Sequence, residues 1–370
     1  MIFSPSIYRD RTVRIQRILR ERQIDYLLIG PGPNLFYFTG IEAHISERLE
    51  LLVVPAEGTP RLIVPALEKP AVEPNATFFD LLPWTDEETS APALAAAFEG
   101  VSQKLRVAVD NQLWSLHLLT IQQEVKHAEW IRASDAIKLV RGRKSAEEIA
   151  LLKQAASIAD AALAELCKTK LSGRTEREIM NEIQRLLLSH GDEVMSFCIV
   201  GSGSNSAVPH HNSSDRMIQS GEPLLLDFGG AYHGYQSDMT RMLWVGETPS
   251  EEFMTVYNIV NEARSAGHRS AKPRATCESV DAATRAVIEE AGYGEYFIHR
   301  TGHGLGIDVH EDPYIIAGNT EVLEEGMVFS IEPGIYLSGK FGVRIEDIAI
   351  ITNDGEENIN RSSHQLILVN

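Results

Sequence analysis

Cysteine is scarce in this chain. There are three, Cys167, Cys198 and Cys277, odd in number and widely spaced. That excludes a disulfide framework and any cysteine-based zinc knuckle. Long apolar runs are missing as well, and none approaches the roughly 20 residues needed to span a bilayer. The N-terminal stretch MIFSPSIYRDRTVRIQRILRER has no apolar signal-peptide core, so a cytoplasmic protein is expected. Positive charge is outweighed: 34 Lys and Arg against 52 Asp and Glu give a net charge of −18. Phosphate backbones and anionic membranes require clustered Lys and Arg, so neither nucleic acid nor membrane is expected as a partner. What remains is ordinary globular material, 44% hydrophobic and 23% charged, over 370 residues, which is the length of two domains.

The first part of the chain alternates helical and strand-like stretches. Residues 9–23 read as an amphipathic helix, and DYLLIG (25–30) as a strand. LELLVVPAEGTPRLIVP (49–65) reads as a hairpin turning at Glu57-Gly58, and LRVAVD (105–110) as another strand. This pattern predicts a small α/β domain over residues 1–135. NLFYFTG (34–40) reads as a strand and turn with core aromatics. From KLVRGRKSAEEI (138–149) a long helix is expected, with Ser145 and Glu148 in capping-box spacing.

Residues 136–370 carry an internal repeat. Helical patterns at 145–166 and 175–191 lead to the hairpin LLLDFGGAYHGYQSDMTR (224–241). About 100 residues later, helical patterns at 249–267 and 276–292 lead to a second hairpin, VFSIEPGIYLSGKFGVRIEDIAIIT (328–352). The expected architecture is α+β: an antiparallel sheet with helices on its outer face and pseudo-twofold symmetry.

Both hairpins carry carboxylates in strands otherwise made for burial. Asp227 and Asp238 centre on the His233-Gly234 turn, and Glu332 and Glu346 centre on Gly339. Each pair is therefore expected to be roughly opposite and on one face. Four carboxylates meeting on one sheet face cannot stay ionised without a counter-charge, and one or two divalent cations would supply it. His303, in the glycine-rich HRTGHGLGIDVHEDP (299–313), is a suitable nitrogen ligand. His210 lies on a loop before the first hairpin, and His211 beside it reads as solvent-facing. Arg344, two residues from Glu346, shares its face on a strand, where a guanidinium could fix a neighbouring carboxylate or one on a substrate. Two metals bridged by carboxylates point to hydrolysis.

The motifs LDFGGAYHGYQSDMTR, TGHGLGIDVHE, SIEPGIY and GVRIEDIAII, in this order and spacing, resemble those of the pita-bread metallopeptidases: methionine aminopeptidase, aminopeptidase P and prolidase. GPGPNLFYFTG (30–40) and LLVVPAEGTPRLIVPALE (51–68) resemble the N-terminal domain of the creatinase and prolidase branch. The resemblance implies Asp227, Asp238, His303, Glu332 and Glu346 as ligands of two divalent ions, with Asp238 and Glu346 bridging. It implies Glu332 as general base, His210 and His310 as catalytic histidines that contact the substrate, and His299 and Arg344 at positions found in proline-specific members. Homodimers are usual in this branch. Thr240-Arg241-Met242 departs from the family's frequent Thr-Arg-Thr.

The expected activity is hydrolysis of Xaa-Pro bonds in a proline-containing di- or oligopeptide. A dipeptidase (prolidase) is favoured over an aminopeptidase P. The carboxylate-rich ligand set suits Mn²⁺, with Co²⁺ or Zn²⁺ able to occupy the same positions. A creatinase-like hydrolase of a small non-peptide amide and a non-catalytic binding protein are the alternatives; intact ligands disfavour both. His44, Glu47 and Arg48 cluster in IEAHISERLE without an assigned role, although they could limit substrate length if a partner subunit brings them over the site.

Overall fold

The structure, a computed structural model, describes residues 2–98 and 104–370. The chain forms two compact units, Met1–Arg141 and Gly142–Asn370. The boundary expected at 135 falls instead after the helix Ser134–Arg141. That helix belongs to the first unit, where Tyr37 donates its hydroxyl to the Val140 carbonyl and the Arg141 guanidinium donates to Asn34. The long helix therefore starts afresh at Ala146.

In the first unit a six-stranded mixed sheet runs Asp80–Trp84, Arg61–Pro65, Leu51–Pro55, Tyr26–Ile29, Leu105–Val109, Ala128–Arg132. The helix Pro5–Glu21 buries Tyr8, Ile15 and Leu19. Residues expected as a strand and turn form the helix Pro33–Thr39. Proline in its first turn and left-handed Gly40 at its end supply start and stop signals. Its aromatic richness reflects burial on all sides, which a periodicity argument does not distinguish from a buried strand. Of the IEAHISERLE cluster, Arg48 makes a bidentate pair with exposed Asp86.

The second unit shows its repeat in the helix caps. The helices Ala146–Leu166 and Glu176–His190 start at Ser145 and Thr175, and Glu251–Ser270 and Cys277–Glu290 start at Ser250 and Thr276. Each cap hydroxyl accepts a backbone N–H three residues on. The first helix pair packs its Ile158, Ala162, Ile179 and Ile183 against Leu224, Leu226 and Phe228 of the first hairpin. The second pair covers the second hairpin with residues such as Val280 against Phe329, Ile331 and Ala349.

The strands divide into three ladders rather than one continuous sheet. One holds Val194–Ser202, Glu222–Tyr232, Tyr235–Gln236 and Met239–Val245, with Ile367–Val369 added in parallel at its edge. A second holds Glu311–Ile315, Gly302–Gly304, Val328–Ile331, Asp347–Ile351 and Glu356–Asn358. The third is the short pair Gly334–Leu337 and Phe341–Arg344. No helix among the described residues is long and apolar enough to cross a membrane.

Candidate metal centre

The second hairpin changes ladders at its carboxylates. Ile331 faces Asp347 below the change and Gly334 faces Arg344 above it. Continuing either register places Glu332 opposite Glu346, as the spacing predicted. The first hairpin differs from expectation. Its turn is the two residues His233 and Gly234, both with positive φ, closed by the pair Tyr232 and Tyr235. In this register Asp227 faces Thr240, not Asp238. Asp238 lies two residues from Thr240, so it is the diagonal neighbour of Asp227 on the same face.

Four carboxylates and one imidazole meet where the hairpins meet. Single ligand atoms of Asp238, His303 and Glu346 lie within 4.8 Å of one another. His303 Nε2 is 3.2 Å from Glu332 and 3.6 Å from Asp238. Its Nδ1 donates to the Gly304 carbonyl at 3.2 Å, which fixes the ring so that Nε2 faces the carboxylates. Glycines on either side let neighbouring backbone close in. A Cβ at position 302 would lie 1.8 Å from the Ser330 carbonyl oxygen, and one at 304 would lie 2.3 Å from that of Asp312.

Asp227 is joined to the cluster through Arg344. One guanidinium nitrogen donates to Asp227 at 2.5 Å, another to Tyr336 at 2.8 Å, and Nε donates to Thr240 at 3.2 Å. Arg344 thus shares the face of Glu346, as its strand position implied. Tyr336 in turn meets His299 Nε2 at 2.8 Å. His299 Nδ1 lies 2.7 Å from the Arg300 carbonyl, which can only accept. The imidazole therefore donates from Nδ1 and accepts at Nε2 from Tyr336. Burial lowers the His299 pKa, in keeping with a neutral ring.

Charge in this cluster is unbalanced. Burial raises the pKa of Asp238 and Glu346 well above the carboxylate range, and the charges of neighbouring carboxylates raise it further. Asp227 is also raised by burial, against the pull of Arg344. Glu332 goes down, because the hydrogen bond and charge of His303 outweigh its burial. Asp227 Oδ1 is buried with no hydrogen-bond partner among the described residues. An orphaned oxygen, raised carboxylates and an imidazole whose Nε2 is turned toward them form a donor set suited to divalent cations once that nitrogen gives up its proton.

Of the other expected residues, His310 packs its ring on that of His303 with centroids 4.0 Å apart. Burial, then the His303 charge, push its pKa down to about 4. His210 is exposed on the loop before the first hairpin, and its charge also acts on His310. His211, expected in solvent, is instead held 2.8 Å from Glu176, with 15% of its side chain exposed. Thr240, Tyr336 and Glu176 are assigned no role from the sequence; their partners lie 26 to 106 residues away or, for Tyr336, eight residues along a hairpin.

Residues 150–353 match Metallopeptidase family M24, and residues 11–142 match the Creatinase/Prolidase N-terminal domain. The chain belongs to metallopeptidase family M24. It is 38% identical to the probable dipeptidase PepE of Mycobacterium tuberculosis over 99% of this chain and 98% of that one. Among solved structures it superposes on a prolidase from Thermococcus sibiricus with a TM-score of 0.93, at 37% identity, covering 98% of this chain and 99% of that one. Dipeptidase PepE from Mycobacterium ulcerans gives a TM-score of 0.94 at 36% identity, with 99% of each chain covered. The pita-bread architecture with a creatinase-type N-terminal domain is therefore the fold of this metallopeptidase.

Proposed function

We propose that this metallopeptidase is an Xaa-Pro dipeptidase. The reading is supported by the convergence of Asp227, Asp238, His303, Glu332 and Glu346, and by full-length relatives named dipeptidase and prolidase. Those five residues would hold two divalent ions, Mn²⁺ by preference for a carboxylate-rich set, and such a pair supplies Lewis acidity and an acidified water. The remaining roles fall to the chain itself. Glu332, ionised and 3.2 Å from His303 Nε2, is placed to accept a proton from the attacking water and return it to the leaving proline nitrogen. His310, neutral because its pKa is near 4, offers an N–H to the scissile carbonyl as charge develops there. His210 is the second such contact. His299 and Arg344 line the site, with Arg344 holding Asp227 and Tyr336 joining the two. Met1–Arg141 and Gly142–Asn370 would act as N-terminal and catalytic domains of a cytoplasmic homodimer.

Product release from Ala-Pro and Ala-Pro-Ala by Mn²⁺-loaded protein, with a chelator control, tests the proposal. Chelator-sensitive cleavage of Ala-Pro alone is expected. Cleavage mainly of the tripeptide would make the enzyme an Xaa-Pro aminopeptidase, and cleavage of neither by metal-loaded protein would overturn proline specificity.

A further inference from the structure

One guanidinium beside the site has no carboxylate. Arg300 is half-buried and lies over the Tyr314 ring, its Cζ 4.5 Å from the centroid. Its side chain makes no hydrogen bond or ion pair among the described residues. The neighbouring cations are all committed: Arg344 to Asp227, Lys144 to Glu311, Arg285 to Asp281. Residues 304–332 contain no Lys or Arg at all.

The position is informative. Tyr314 is the direct partner of His303 in the antiparallel ladder, so both side chains rise from one face. Arg300, stacked on Tyr314, therefore stands on the face that carries His303 and His310. Its charge reaches His310, adding to burial and to His303 in lowering that pKa. Stacking on an aromatic ring holds a guanidinium plane in place while leaving its edge N–H groups free, and that edge matches a carboxylate. In an Xaa-Pro dipeptide the carboxylate belongs to the proline whose nitrogen leaves. Its receptor must then stand beside the groups that hold the scissile carbonyl.

We propose that Arg300 binds the free C-terminal carboxylate of the substrate and so selects dipeptides over longer chains. The inference rests on the Xaa-Pro dipeptidase proposal. Lengthening the peptide converts this carboxylate to a neutral amide and removes the charge-assisted pair.

The test compares Ala-Pro with Ala-Pro-amide on the metal-loaded enzyme, in the native protein and in Arg300→Gln and Arg300→Lys. The native enzyme should favour the acid over the amide by about 10- to 100-fold in kcat/KM. Arg300→Gln should collapse that preference, chiefly by raising KM for Ala-Pro. Arg300→Lys, which keeps the charge but not the planar fork, should retain part of it. An acid-to-amide preference unchanged in Arg300→Gln, or an equal loss on both substrates, overturns the proposal. A native enzyme that leaves Ala-Pro uncut overturns the dipeptidase proposal itself, and this one with it.

Discussion

Thr240 faces Asp227 across the first hairpin and donates its hydroxyl to Glu346 of the second, at 2.7 Å. The same oxygen accepts from Arg344 Nε, and Arg344 also holds Asp227. One buried hydroxyl thus ties together a carboxylate from each half of the repeat.

Removing that hydroxyl should loosen the cage without unfolding it. Thr240→Val leaves an oxygen of Glu346 and the Nε of Arg344 short of a partner in a buried site. Loss of such a supporting contact costs about 10- to 100-fold in metal affinity. Mn²⁺ titration followed by calorimetry should show that loss, and Thr240→Ser should show little of it. Equal affinities in native and Val proteins would contradict the role.

Glu176 organises the segment before the first hairpin. Its fully buried carboxylate accepts from Ser202 N and Oγ, Asn205, His211, and Ser214 N and Oγ. Burial alone would raise its pKa; these donors, Ser214 and His211 foremost, override that and hold it down to about 2. A depressed carboxylate stabilises the fold above its unfolded pKa, and the contribution fades as pH falls toward the folded value. The difference is worth about 3 kcal/mol at neutral pH. Glu176→Gln should therefore lower the urea midpoint clearly at pH 7, and by progressively less as the pH falls from the ordinary glutamate value toward about 2. It should also lower kcat, because the bonded segment carries His210. A stability loss independent of pH would refute the electrostatic account.

Asp192 predicts the opposite trend. It is buried, neither carboxylate oxygen has a hydrogen-bond partner among the described residues, and burial pushes its pKa up to about 7. The unfolded state gives up this proton near the ordinary carboxylate value, so stability drains away between that pH and about 7. The full cost above that window is on the order of 4 kcal/mol. Asp192→Asn should raise the thermal midpoint at pH 8 and leave it nearly unchanged at pH 4. A rise of the same size at both would rule out ionisation as the cause.

Much of this was legible in the sequence where the signal is local. The cap at Ser145 marks a helix start, and the symmetric placing of Glu332 and Glu346 about Gly339 reveals their pairing. Asp227 and Asp238 were harder, because moving a hairpin's centre by one residue moves every partner by two. Parity survives such a move, so the shared face was right although the partner was wrong. The helix Pro33–Thr39 is buried on all sides, leaving no periodicity to separate it from a buried strand. His211 sits beside His210 in sequence, yet its fate depends on Glu176, 35 residues earlier. Contacts at that range depend on the packed fold, not on neighbouring residues.

The central claim is that the carboxylate cage holds the metal on which Xaa-Pro cleavage depends. The most direct measurement is proline release from Ala-Pro by chelator-stripped protein as Mn²⁺ is added back, beside Asp238→Asn treated the same way. Release should be absent without metal, return in the native protein and fail to return in the variant, whose loss at one ligand leaves His303 and Glu346 incomplete. Release that survives chelation, or that returns equally in Asp238→Asn, would contradict the account.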